Sequence, residues 1–177
     1  MSGTIKLVLV GLGLVGRRHA DVICKTKDAK LVAVVDPSED AHNYARKKSL
    51  KIYSSLEDMF IEQSPDGIIL ATPTLMHIEQ GFYCIQRNCP VMIEKPIASS
   101  SAEALALVEK SENLGVSVLV GHHRRYNPII QRASEVILSG KIGKVRAIHA
   151  NCWFYKSDEY FDVAEWRKKS GAGPISV

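Results

Sequence analysis

The chain has 177 residues, 46% of them hydrophobic and 24% charged, with a formal net charge of +4. That is the composition of an ordinary soluble globular chain, long enough for one full core and part of another, and it excludes a low-complexity polymer. Acids and bases are interspersed, so no polyanion-binding run stands out. No apolar run approaches the length of a bilayer span, and neither nucleic acid nor membrane is expected as a partner.

Ile5–Val10 is a continuous apolar-rich run of strand character, the kind expected where helices cover both faces of a parallel sheet. It enters Gly11-Leu12-Gly13-Leu14-Val15-Gly16, and a helical pattern leaves that turn and runs to about Lys25, with Val15, His19, Val22 and Ile23 on one face. Lys30–Val35 reads as the second strand and ends on Asp36, about twenty residues beyond Gly16. Gly-x-Gly-x-x-Gly between a strand and a helix, with an acid at that spacing, is the pattern of a dinucleotide-binding unit. Gly11 permits the tight turn, Gly13 lets the backbone approach a pyrophosphate, and Gly16 lets the helix pack closely on the strand. Leu14 and Val15 open the helix, whose free N–H groups and positive dipole end suit phosphates. Asp36 would accept hydrogen bonds from the adenosine ribose and so favour NAD over NADP, with the nearby Arg17 and Arg18 softening the preference. The bland alternative is a glycine-rich turn in an unrelated α/β protein, with Asp36 as a helix cap.

Pro37 and Ser38 open a helix through about Lys48, and Ser54-Ser55-Leu56-Glu57 reads as a capping box before a short helix. Gly67–Ala71 is an apolar strand followed by Thr72-Pro73-Thr74, and Ile78, Phe82 and Ile85 give helical spacing up to Asn88. Val91-Met92-Ile93 is a strand ending in Glu94-Lys95-Pro96. Ser100-Ser101-Ala102-Glu103 is a second capping box, its helix running to about Leu114, and Val116–Val120 is a strand ending in Gly121-His122-His123. Repeated strand–helix alternation predicts an α/β fold: a Rossmann-like, doubly wound parallel sheet with right-handed crossovers. Near Arg124 the pattern changes to a helix with Ile129, Ala133, Val136 and Ile137 on one face, then a long strand, Lys144–Phe154. The expected division is residues 1–123 as a cofactor-binding domain and 124–177 as the beginning of a truncated α+β second domain.

In an open parallel sheet, ligands bind outside the carboxyl ends of the strands. The glycine loop, Thr72-Pro73 with His77, Glu94-Lys95-Pro96 and His122–Tyr126 all fall there. Lys95 is held extended by Pro96, Glu94 can orient it, and partial burial beside a nicotinamide would tune its ammonium for proton transfer. Alternatively it is a surface lysine paired with Glu94. His77 either lines the same cleft or is a helix-start histidine with no ligand. Arg124, Arg125 and Tyr126 either recognise a polar substrate or form a solvated basic turn. His122 and His123, adjacent on a strand, point oppositely, and no metal site is expected. The four cysteines, Cys24, Cys84, Cys89 and Cys152, show no C-x-x-C spacing and read as reduced thiols. No leader pattern is read before the first strand, and a cytoplasmic location is expected.

Taken together, Gly11–Gly16 with His19, Ala71-Thr72-Pro73-Thr74 with His77, Glu94-Lys95-Pro96, Gly121–Pro128, Trp166-Arg167 and Gly171–Pro174 resemble the N-terminal half of a known family. It is the glucose–fructose oxidoreductase, inositol dehydrogenase and rhizopine catabolism (Gfo/Idh/MocA) family. The resemblance implies a nicotinamide-dependent oxidoreductase using NAD and acting on a sugar, cyclitol or related polyol. It implies that Lys95 lies near the reacting carbon and the nicotinamide, and that the Lys95–Pro96 bond is often cis. Thr72, Pro73, His77, Glu94 and Pro96 would belong to the cofactor cleft, and Arg124, Tyr126 and Trp166 to the substrate region. Family members continue into a helix carrying an aspartate–histidine pair, which this sequence does not reach. The expectation is therefore NAD binding with weak or absent turnover. The alternative is a non-catalytic nucleotide-binding or interaction protein that keeps the cofactor fold. A lone strand at 144–154 would also expose an edge, so homo-oligomers are expected through it.

Overall fold

In the computed structural model, residues 3–151 and 153–162 are described, and they divide into two compact units, 3–121 and 122–162. In the first unit the chain alternates β1 (Ile5–Val10), α1 (Leu14–Lys25), β2 (Ala29–Val35), α2 (Glu39–Lys47), β3 (Ile52–Tyr53), α3 (Leu56–Glu62), β4 (Gly67–Leu70), α4 (Thr74–Ile85), β5 (Val91–Ile93), α5 (Ser101–Leu114) and β6 (Val118–Val120). All strand pairs are parallel, in the order β3-β2-β1-β4-β5-β6. This is the doubly wound Rossmann order, with its topological switch between β1 and β4.

The carboxyl halves of β1 and β2 and all of β4 are apolar and mostly buried, because helices cover both faces of the sheet there. Val8 and Val10 face one cluster with Ala33, Val35, Ile68, Leu70, Val91 and Ile93, roofed by Leu56 and Met59 of α3, Ile85 of α4 and Leu107 of α5. Leu9 and Val34 face the other, against Ala20 and Ile23 of α1 and Ala41 and Ala45 of α2. The buried face of α1 is Gly16, Ala20 and Ile23, whereas Val15 and Val22 are exposed. The small residues win the inner face because α1 packs close to the sheet. Burial pushes the Cys84 thiol up to about 12 and the Cys89 thiol up to about 11, so neither is a ready thiolate.

Local capping sets the helix starts. Ser100 Oγ accepts from the Glu103 N–H and donates to its carboxylate at 2.9 Å, the capping box expected at α5. At α3 the cap is Ser55 paired with Asp58, one residue later than the sequence pattern suggests. The two-residue strand β3 is too short to carry a periodicity and is found only in the structure.

The second unit contains a 3-10 turn at His123–Tyr126, α6 (Pro128–Leu138) and α7 (Asp158–Asp162). Asn127 caps α6 by accepting from the Ile129 N–H at 2.9 Å, and Pro128 takes the first helical position. The predicted apolar face is only weakly covered among the described residues: Ile129 and Ile137 are exposed and Val136 is half-buried. The expected strand Lys144–Phe154 is not formed. Residues 144–151, 153 and 154 are irregular, and residue 152 lies outside the described residues. Alternating apolar residues make a strand only where a neighbour accepts and donates the ladder bonds, and no described residue does so here. The edge expected to recruit a second copy is therefore not a strand edge. His122 and His123 also lie beyond β6 on the turn rather than on a strand.

The core makes a direct prediction. Leu107 is fully buried and Leu105, two residues away on α5, is 58% exposed. Leu107→Ala should cost about 2–5 kcal/mol in urea unfolding, and Leu105→Ala about 0.5 kcal/mol or less.

Candidate functional site

Five residues end up side by side because each takes the last ladder bond of its strand pair. Asp36 N–H donates to the Tyr53 carbonyl, Gly11 N–H to Val35, Ala71 N–H to Val10, Glu94 N–H to Leu70 and Gly121 N–H to Ile93, all at 2.8–3.0 Å. The turn residues that follow therefore line up along the carboxyl edge.

At the switch point Gly11 and Gly16 are required by space and backbone. Gly11 has φ +87°, and a Cβ there would lie 2.7 Å from the Ala71 carbonyl oxygen. A Cβ on Gly16 would lie 1.9 Å from the Gly11 carbonyl oxygen, which is backbone and cannot yield. At Gly13 an added Cβ meets nothing within 4 Å. That open space lies over the start of α1, where Gly13 provides no side-chain cap and the first turn carries no acid. Uncapped N–H groups at an unneutralised helix start, beside open space, fit a pyrophosphate.

Asp36 is half-buried and does more than wait for a ribose. Its Oδ2 accepts the Leu12 N–H at 2.7 Å, and its Oδ1 accepts both the N–H and the hydroxyl of Ser38, at 2.9 and 2.7 Å. Oδ1 is thus filled, and Oδ2 keeps a lone pair for one further donor. The other end of Leu12 is also held, its carbonyl accepting from Arg17 Nε at 3.0 Å. Arg17 in addition pairs with Asp40 and lies over the Tyr44 ring, 4.6 Å from its centroid. The guanidinium next to the acid is already engaged.

At the other end of the site, Glu94 does not hold the Lys95 ammonium. Its Oε1 lies 2.8 Å from His19 Nε2, and its Oε2 accepts the Lys95 backbone N–H at 3.2 Å. The His19 hydrogen bond holds the Glu94 carboxyl below the ordinary carboxylate range against the opposing effect of burial, with the Lys95 N–H helping. Gly121 makes room, since a Cβ there would lie 3.0 Å from Glu94 Oε1. The Lys95 side chain is exposed rather than part-buried, and the Lys95–Pro96 bond is cis, as the resemblance implies. Thr72 and Pro73 are half-buried at the end of β4. His77 is buried, with both ring nitrogens bonded to protein carbonyls, so it stands behind the cleft rather than in its lining. Arg124 and Tyr126 are exposed on the 3-10 turn of the second unit, and Trp166 lies outside the described residues.

Sequence reasoning assigned no partner to His19 and overlooked Gln80, whose Oε1 accepts the Thr72 hydroxyl at 2.7 Å. Helical spacing carries a signal for both. His19 sits one turn beyond Gly16, and Gln80 one turn beyond His77.

Glu94→Gln should destabilise the fold by about 1–3 kcal/mol at neutral pH. Because the folded carboxyl titrates below its unfolded value, the stabilisation is complete above the ordinary carboxylate range and is lost as pH falls through the folded value. Unfolding curves of parent and variant should therefore draw together as pH falls below the ordinary carboxylate range.

Residues 5–122 match the oxidoreductase family with an NAD-binding Rossmann fold, GFO_IDH_MocA. Among curated proteins, the chain is 30% identical over 154 residues to 4-carboxy-2-hydroxymuconate-6-semialdehyde dehydrogenase of Sphingobium sp. (strain NBRC 103272 / SYK-6), covering 86% of this chain and 49% of that protein. It is 32% identical to scyllo-inositol 2-dehydrogenase (NAD(+)) of Bacillus subtilis (strain 168), covering 81% and 43%. Among solved structures, the WlbA dehydrogenase from Bordetella pertussis, in complex with NADH and UDP-GlcNAcA, matches with a TM-score of 0.88 at 29% identity, over 93% of this chain and 51% of that one. The chain spans about half the length of the curated relatives it matches. With the match running from β1 to the end of β6, through the glycine loop, Asp36 and Glu94-Lys95-Pro96, this chain belongs to the GFO_IDH_MocA oxidoreductase family.

Proposed function

We propose that this chain binds NAD along the carboxyl edge of its sheet and serves hydride transfer at a hydroxyl-bearing carbon of a sugar, cyclitol or related polyol, with Lys95 as the proton-transfer residue. The observation that carries it is the alignment on one edge of the open space at Gly13, the remaining lone pair of Asp36 and the exposed Lys95 amine. Relatives that are dehydrogenases of an inositol and of a semialdehyde support the reaction class.

Each residue has a task that follows from its geometry. The N–H groups at the start of α1 receive the pyrophosphate. Asp36 accepts a ribose hydroxyl through Oδ2, and its charge opposes a 2′-phosphate. Arg17, held by Leu12, Asp40 and Tyr44, is drawn away from relieving that repulsion. Bound NAD supplies the hydride acceptor. In the oxidation direction Lys95 Nζ, as the neutral amine, takes the hydroxyl proton as the carbon gives up its hydride, and in the reduction direction the ammonium so formed gives that proton back. His19 fixes Glu94, and Glu94 fixes the Lys95 backbone, so the lysine stem starts from a set position. By the family resemblance, Arg124, Tyr126 and Trp166 would take part in recognising the substrate.

Two measurements test this reading. Calorimetric titration should find NAD bound more tightly than NADP. Asp36→Ser should narrow that ratio and weaken NAD as well, because Leu12 N–H loses its acceptor. Asp36→Asn, which keeps an acceptor oxygen, should weaken NAD less. Equal affinities in the parent would remove Asp36 as the selector. In a polyol and sugar panel followed by NADH absorbance, Lys95→Ala should leave NAD affinity within a few-fold and lower any turnover about 10²–10⁴-fold. Full activity in that variant would exclude Lys95 from the mechanism. Tight NAD binding with no turnover on any substrate would favour a non-catalytic nucleotide-binding protein.

A further inference from the structure

His77 is 1% exposed, and proton transfer as described above makes no use of it. Its ring lies between two loops. Nδ1 is 2.8 Å from the Pro96 carbonyl oxygen, and Nε2 is 2.9 Å from the Thr72 carbonyl oxygen. Both carbonyl oxygens are acceptors, so the ring is the donating side of this bridge. One turn further along α4, Gln80 accepts the Thr72 hydroxyl at 2.7 Å. One face of α4 therefore holds Thr72 by its carbonyl and its hydroxyl, and the Lys95–Pro96 loop by the Pro96 carbonyl.

The ladder does not reach these groups. Its last bonds stop at Ala71 and Glu94, one residue short of Thr72 and Lys95 on their respective strands. Pro73 and Pro96 have no N–H with which to extend it. Among the described residues, His77 is the hydrogen-bonded bridge between the two loops. A buried carbonyl that loses its donor bears the full cost of desolvation, so removing the ring loosens both loops together.

We propose that His77 is a positioning residue that couples the Thr72–Pro73 wall of the cofactor cleft to the Lys95–Pro96 loop, so that lysine and wall keep one relative position. It rests on the role given to Lys95 above. It acts through two carbonyl groups and touches neither cofactor nor substrate.

The test compares His77→Phe, which keeps a ring and removes both ring nitrogens, with His77→Gln, whose amide carries two hydrogens. In His77→Phe, amide hydrogen exchange at Thr74, Lys95 and Ile97 should rise together by about tenfold or more, with the strands β1 and β4 unchanged. NADH affinity, read by fluorescence titration, should fall several-fold, and His77→Gln should recover part of both effects. The proposal is overturned if His77→Phe loosens one loop alone or the whole sheet alike, or if the glutamine recovers nothing. Should His77→Phe not fold, exchange in His77→Gln decides the matter: the two loops should loosen together relative to the parent, and loosening of one alone overturns the proposal. Failure of the parent to bind NADH would sink the cofactor reading, while the paired exchange of the two loops would still decide the role of His77.

Discussion

The parallel ladder at the carboxyl edge is the constraint on which everything else depends. Five backbone bonds of 2.8–3.0 Å bring Asp36, Gly11, Ala71, Glu94 and Gly121 into one row, although they are spread over more than eighty residues of sequence. With neighbouring strands about 4.8 Å apart, the row places Asp36 and Glu94 roughly three strand spacings from each other, on either side of the switch point. A slip in register at β1 would displace the glycine loop from β2 and from β4 at once. Both faces of the sheet are buried, so such a slip would also turn Leu9 into the cluster built for Val8 and Val10, and the core enforces the register.

On this row the helices add a second layer of fixation. Helix α1 sends Arg17 to the Leu12 carbonyl and His19 to the Glu94 carboxylate. Helix α4 sends His77 and Gln80 back to the strand ends. Turns near a ligand have few ladder bonds, and their polar groups are satisfied here by side chains from one turn into the adjacent helix. Of the two acids, Asp36 keeps a lone pair open, whereas both oxygens of Glu94 are engaged. Asp36 gives Oδ1 to Ser38 and shares Oδ2 with Leu12, and Glu94 is engaged by His19 and by the Lys95 N–H. Pre-formed acceptors of this kind avoid reorganisation when a ligand arrives.

The two units differ in how far their sequence patterns are satisfied. In the first, the apolar runs of β1, β2, β4 and β5 find neighbouring strands and covering helices. In the second, α6 forms because its caps and propensity are local, with Asn127 and Pro128 defining its start. The alternating run after Gly143 has no such local closure. A helix closes its hydrogen bonds within itself, whereas a strand depends on another segment for all of them. That difference accounts for one expected element being present and the other absent.

Sequence alone determined the strands β1, β2, β4 and β5 nearly to the residue, the glycine turn, the acid at Asp36 and the grouping of the strand-end motifs, because each rests on local chemistry: periodicity, turn residues and capping. The tertiary structure decided what those motifs do to one another. It turned Glu94 toward His19 and away from the Lys95 ammonium, withdrew His77 behind the cleft, engaged Arg17 with Asp40, and gave the inner face of α1 to Gly16 and Ala20 in place of Val15. It also withheld the strand at 144–154. These side-chain contacts join residues from 5 to 75 positions apart in sequence; they depend on how strands and helices line up, and no spacing in the sequence encodes which side chain reaches which partner across that alignment.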